Sequence, residues 1–132
     1  MTKAIICDIQ GVLLDDGVNR GLVDFLVNEK GNYGKLILHT NLSKGNESRL
    51  KELMPGLFNV VEKVYFYDEV KYPKPDARGL QEILKEWDLN ANEVVFIDDS
   101  ETNVESAAKL GMKTIHYTGL EDISNLKNLL SL

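Results

Sequence analysis

The chain has 132 residues, a formal net charge of −6, and 43% hydrophobic and 27% charged residues. This is the make-up of one ordinary globular domain, 1–132, long enough to bury a core without staples. The acidity, with no Lys/Arg-rich stripe, argues against nucleic acid as a partner, because phosphate backbones are bound by clustered cations. No apolar run approaches the roughly 20 residues of a membrane span. Met1-Thr2-Lys3 passes into a strand pattern without a secretory leader, and the single Cys7 cannot pair within the chain, so the expected compartment is the reducing cytoplasm.

In chain order, Lys3 to Asp8 reads as a buried strand ending in a carboxylate, with Gly11 breaking the extended geometry. Asp15-Asp16-Gly17 reads as a turn. Val18, Leu22, Phe25 and Leu26 follow helical spacing, so a helix is expected to about Lys30, ended by Gly31 and Gly34. Lys35 to Thr40 is a second strand. Asn46 is a ready N-cap for a short helix through Leu50 and Leu53, stopped by Pro55-Gly56. Val60 to Tyr67 looks like a third strand, rich in β-branched and aromatic residues.

Asp68 to Pro75 is a loop stiffened by prolines on either side of Lys74. Asp76 caps a helix whose inner face is Leu80, Ile83, Leu84 and Trp87. Val94 to Ile97 is a fourth, fully apolar strand ending at Asp98-Asp99-Ser100. A helix from Thr102 to Leu110, a short strand from Lys113 to Tyr117 and a helix from Glu121 to Leu130 complete the chain. The last carries Ile123, Leu126, Leu129 and Leu130 on one side.

Strands and helices alternate, and the strands are apolar without alternation, which argues an α/β fold. The expectation is a three-layer, Rossmann-like arrangement with a five-stranded, mainly parallel sheet and no cap domain. Right-handed crossovers then bring every strand's C-terminal end to one edge. Asp8, Thr40 and Asp98/Asp99 sit at such ends, so three polar clusters from distant segments converge on one crevice.

Asp8, Asp98 and Asp99 bring three negative charges there, which repel unless a cation joins them. Lys74 adds one positive charge and a divalent ion two more. Hard carboxylate oxygens suit Mg²⁺ with water and phosphate, and no Cys/His cluster suits zinc. A nucleophilic carboxylate, a lysine, a metal and hydroxyl or amide donors make phosphoryl transfer the natural reaction class. Asp8 would attack phosphorus, Lys74 would neutralise the phosphoryl oxygens, and Thr40 and Asn41 would donate hydrogen bonds to them.

These residues resemble the haloacid dehalogenase (HAD) superfamily over essentially the whole chain. Asp8-Ile9-Gln10-Gly11-Val12 is similar to its first motif, Thr40-Asn41 to its second, Lys74 in Tyr72-Pro73-Lys74-Pro75-Asp76 to its third, and Val95-Phe96-Ile97-Asp98-Asp99-Ser100 to its fourth, acidic motif. The resemblance implies a central first strand and Asp8 as nucleophile. It implies a backbone carbonyl at Gln10 on the metal, Asp99 as a main carboxylate ligand and Asp98 as a second. Asn103 stands where many members have another acid, and is expected to orient Asp99 or Lys74.

The chain departs from that pattern twice. Only one helix fits between Asp8 and Thr40, and the stretch from Asn41 to Lys74 is too short for a folded cap. The site should then be open, for a small or bulky phosphorylated substrate or for a homo-oligomer in which a neighbouring subunit acts as a lid. At position 10, where the family's phosphatases carry an acid, stands Gln10. Glutamine hydrogen-bonds but does not shuttle a proton, and loss of general acid–base catalysis typically costs about 10²–10⁴-fold. Two alternatives therefore stand beside an impaired phosphatase: a dehalogenase-like hydrolase attacking carbon, and a decayed phosphate- or partner-binding module. Cys7, His39, His116, Trp87, Asp15 and Asp16 read more simply as packing or turn residues.

Overall fold

The computed structural model describes residues 1–119 and 126–130. Its main sheet has the order β5-β4-β1-β6-β7, from β1 (Ala4–Cys7), β4 (Lys35–His39), β5 (Lys63–Tyr65), β6 (Val94–Asp98) and β7 (Lys113–His116). All four pairings are parallel. A two-stranded antiparallel hairpin, β2 (Leu14–Asp15) and β3 (Gly17–Val18), follows β1. The helices are α1 (Arg20–Asn28), α2 (Lys30–Tyr33), α3 (Glu47–Leu53), α4 (Pro55–Val60), α5 (Ala77–Glu86), α6 (Glu101–Lys109) and α7 (Leu126–Leu129).

The apolar strands are buried on both faces. Successive side chains of β1 point to opposite sides of the sheet. Ile5 and Cys7 join one core with Leu22, Leu26, Leu57 and Leu126, while Ala4 and Ile6 join another with Leu80, Ile83 and Ala107. The three-layer Rossmann-like fold expected from the sequence is the one observed, with helices on both faces.

Several local expectations are corrected. Asp15-Asp16-Gly17 is more than a turn: its flanks pair as the β2–β3 hairpin. Pro55 does stop α3, but it also opens α4 as a first-turn residue, where its missing N–H costs nothing. Val60 therefore ends a helix, and the third strand shrinks to Lys63–Tyr65. Gly31 lies inside α2 rather than ending a helix, and Gly34, at φ 94°, is the true stop. Of the last predicted helix, Glu121 to Asn125, including Ile123, lies outside the described residues. Leu126 and Leu130 are buried, and Thr2 donates to the Leu130 carbonyl at 2.8 Å.

From β1 the chain passes to β4 and β5 on one side, then crosses to β6 and β7 on the other. The order reverses around β1, and a crevice opens at such a switch point, beyond the strands' carboxyl ends. Among the described residues no helix is long and apolar enough to cross a membrane.

Candidate active site

Asp8 follows directly on β1, wedged between the ends of β4 and β6, and its backbone N–H donates to the Ile97 carbonyl at 2.9 Å. Its Oδ1 accepts from the Ile9 N–H at 2.8 Å and from Lys74 Nζ at 2.9 Å. The same Nζ donates to Asp98 Oδ2 at 2.7 Å. Asp8, Lys74 and Asp98 are all buried, at 6%, 7% and 0% exposure. One ammonium thus bridges two buried carboxylates, an arrangement in which desolvation is offset only by close contact. Asp98 is further held by the Ser100 N–H at 2.9 Å and by Asn103 Nδ2 at 3.2 and 3.3 Å.

Burial pushes the Asp8 carboxyl up to about 7; the Lys74 ammonium pulls it down, and the neighbouring Asp98 charge pushes it up again. Asp99 is exposed, yet ligand oxygens of Asp8, Asp98 and Asp99 all lie within 4.8 Å of one another. Gly11, at φ 87°, makes room for it: a Cβ there would stand 2.1 Å from Asp99 Oδ2. His116 Nε2 donates to the Asp99 carbonyl oxygen at 2.9 Å.

Lys74 reaches this site because its loop is pinned. Ser106 donates to the Pro75 carbonyl at 2.6 Å. Gly79 lets α5 approach the loop so closely that a Cβ would meet the Tyr72 carbonyl oxygen at 2.1 Å. The Lys74–Pro75 peptide is cis.

A cleft of about 480 Å³ opens over these groups, with Asp8, Gln10, Asn41, Lys74, Asp99 and Asn103 on its walls. Asp8, Gln10, Asn41, Lys74 and Asp99 therefore come together as the sequence suggested, while Asp98 sits just beneath. Thr40 does not reach the walls; it is buried at 1% exposure, and its Oγ1 accepts from the Leu42 N–H at 3.0 Å. Its hydroxyl proton remains to donate.

The sequence model of the haloacid dehalogenase-like hydrolase family matches residues 22–117. The chain belongs to the haloacid dehalogenase-like hydrolases. Solved structures of this fold align along nearly their full lengths. An uncharacterized protein from Corynebacterium glutamicum is 26% identical with a TM-score of 0.78, over 100% of this chain and 97% of that one. A HAD-superfamily hydrolase from Geobacter sulfurreducens is 20% identical with a TM-score of 0.78, over 98% and 100%. A HAD family enzyme from Bacteroides thetaiotaomicron, in complex with magnesium and inorganic phosphate, is 17% identical with a TM-score of 0.81, over 96% and 99%.

The family match takes in Thr40, Lys74, Asp98 and Asp99 but begins after Asp8 and Gln10. The place of this HAD-like chain's first motif rests on the pairing of β1 with β4 and β6. Asn103 bonds Asp98, where Asp99 or Lys74 was expected. The His116–Asp99 contact was not foreseen; the one signal for it is the matched position of Asp98 and His116 at the ends of adjacent strands. Asp15 and Asp16 line an open cleft beside Asp99 as well as making the hairpin. Tyr65 and Phe66 are core, Tyr67 is exposed, and Tyr72 lies under the Arg78 guanidinium.

Proposed function

We propose that this chain is a Mg²⁺-dependent phosphatase acting through an aspartyl-phosphate on Asp8, impaired by Gln10, on a site open to small or bulky phosphorylated substrates. The observation that carries the reading is the Lys74 ammonium held between Asp8 and Asp98 with the Asp99 carboxylate alongside. A fixed nucleophile, a fixed cation and a free acid at the switch point are the parts that phosphoryl transfer needs.

The donor set fits Mg²⁺: three carboxylates in reach of one point, with no nitrogen or sulfur ligand among them. Asp8, Asp98, Asp99 and the backbone carbonyl of Gln10 would hold the ion, which would supply two positive charges against the phosphoryl oxygens. The Asp8 carboxylate attacks phosphorus, and the leaving oxygen departs with the bonding pair. Lys74 spends two of its three N–H donors on Asp8 and Asp98, so the third is free for a phosphoryl oxygen. Asn41 donates from the cleft wall, and the buried Thr40 hydroxyl, bonded to the Leu42 N–H, holds the turn that presents it. Water then cleaves the aspartyl-phosphate and returns the Asp8 carboxylate. Gln10 hydrogen-bonds at the position of the missing acid, but neither protonates the leaving oxygen nor activates the water. We also read 1–132 as one core domain, and the lone buried Cys7 supports a reducing, cytoplasmic setting.

Hydrolysis of acetyl and aryl phosphates with Mg²⁺ is the test, using the unsubstituted protein, Gln10→Asp and Asp8→Asn. Weak turnover, a gain of about 10²-fold or more in Gln10→Asp and none in Asp8→Asn are expected. Inert unsubstituted and Gln10→Asp proteins would sink the phosphatase reading. Metal-free turnover of a haloacid would favour attack on carbon, and metal binding without turnover a binding module.

A further inference from the structure

A second concavity adjoins the candidate site. A groove of about 360 Å³ runs between the β2–β3 hairpin and α3, and Gln10 and Leu42 line both it and the cleft over Asp8. The two spaces thus meet at the side chain that stands where a leaving-group acid would be. The groove's other walls are mainly apolar: Leu14 and Val18 from the hairpin, Leu53 from α3. All three are half-buried, packed against the core on one side and open to the groove on the other. Asp15 from the hairpin and Arg49 from the helix bring one charge of each sign. The groove therefore carries no net charge.

We infer that this groove receives the leaving group of the substrate, and that the substrate class is the phosphate monoesters of phenols. The inference rests on the phosphatase reading above and adds what is esterified to the phosphate. Two independent features select the same chemistry. Gln10 provides no proton, so the leaving oxygen must be stable as an anion, as a phenolate is and an alkoxide is not. The groove past Gln10 offers apolar walls to the aromatic ring that makes it so, and burying that ring is favourable by its apolar area.

In the first step the Asp8 Oδ–P bond forms and the P–O(aryl) bond breaks. The phenolate leaves with the electron pair, accepts a hydrogen bond from the Gln10 amide and takes its proton from solvent. Water then adds to phosphorus as the P–Oδ bond breaks. The sum is aryl phosphate plus water giving phenol plus inorganic phosphate, with no oxidant or second reactant. Because Gln10 does not activate that water, the second step is the slow one. Phenol should appear in a burst approaching one equivalent per enzyme, followed by slower turnover.

The experiment compares 4-nitrophenyl phosphate with acetyl phosphate at saturating Mg²⁺. Both have leaving groups that need no proton, but only the first has a ring. The expected result is a kcat/KM at least about 10-fold higher for the aryl ester, carried mainly by KM. In Leu53→Gln and, separately, Val18→Ser, the aryl-to-acetyl ratio should fall by about 5- to 10-fold. The ratio cancels any loss of folded enzyme, and the two variants lie on opposite walls. Turnover of acetyl phosphate with no aryl preference, or a ratio that neither variant moves, overturns the groove assignment and leaves the phosphatase reading standing. Failure of both esters, in the unsubstituted protein and in Gln10→Asp, removes both readings.

Discussion

The candidate site has an inner and an outer half that are built on different principles. The inner half, Asp8, Asp98, Lys74, Thr40 and Asn103, is buried, and its polar atoms are tied to one another or to backbone. The outer half, Gln10, Asn41 and Asp99, is exposed. The inner half keeps the geometry when the site is empty of substrate, at the cost of burying charge. The outer half spends nothing on order and leaves its hydrogen-bonding capacity for what binds. Position and chemistry are thereby separated: changes inside should be felt first as stability, and changes outside as affinity and rate.

The largest test of that separation is Lys74→Met. It leaves two carboxylates buried without their shared cation, and breaking such a pair typically costs about 3–5 kcal/mol. Urea unfolding of the metal-free protein should show a loss of that order, partly restored when Asp98→Asn is added. A loss under about 1 kcal/mol would mean that the inner half is not held by charge pairing.

Next in size is a pH effect. Burial raises the folded-state value of Asp8 to about 7, above the ordinary carboxylate range, so its contribution to stability is present at low pH and lost as pH rises through about 7. Asp8→Asn lacks this loss. Between pH 5 and pH 7, with metal chelated, its stability relative to the unsubstituted protein should therefore improve by about 2 kcal/mol. His39 acts in the opposite sense: burial lowers it to about 3, so its contribution is present above its ordinary value and lost as pH falls. It is common to both proteins and drops out of the difference. A pH-independent difference would contradict the burial of an unpaired share of Asp8's charge.

The smallest effect on stability is expected outside. Asp99→Asn removes an exposed carboxylate and should shift unfolding by no more than about 0.5 kcal/mol. Isothermal titration should nevertheless show Mg²⁺ binding weakened at least about tenfold. Large destabilisation with intact metal affinity would reverse the roles of the two halves.

The same division marks what could be read in the sequence. The strands that carry Asp8, Thr40 and Asp98 were legible because a buried parallel strand is an unbroken apolar run, and their shared edge followed from handedness alone. Pro55 misled because one residue both stops α3 and starts α4, and only the packing of Leu57 beneath the sheet decides which matters. Asn103 was assigned the wrong partner because the choice among Asp98, Asp99 and Lys74 depends on how α6 is aimed from its Ser100 cap. Thr40's burial depends on the chain after β4 folding back over it, with Tyr67 N–H donating to the Leu42 carbonyl. The Tyr67–Leu42 contact joins distant segments, and no local pattern encodes it.

The position of β1 has a consequence in time. Ala4 lies opposite both Lys35 and Val94, so the strand that presents Asp8 is completed on one side only after β6 has been made. Pairings of such long sequence separation carry the loop-closure entropy of the chain between them. Until they form, Asp8 is an ordinary solvated aspartate on a nascent segment, without the lysine and the second acid that surround it in the fold. The candidate site is therefore complete only when β6 has paired with β1, and a chain interrupted before Val94 would carry Asp8 with no site around it.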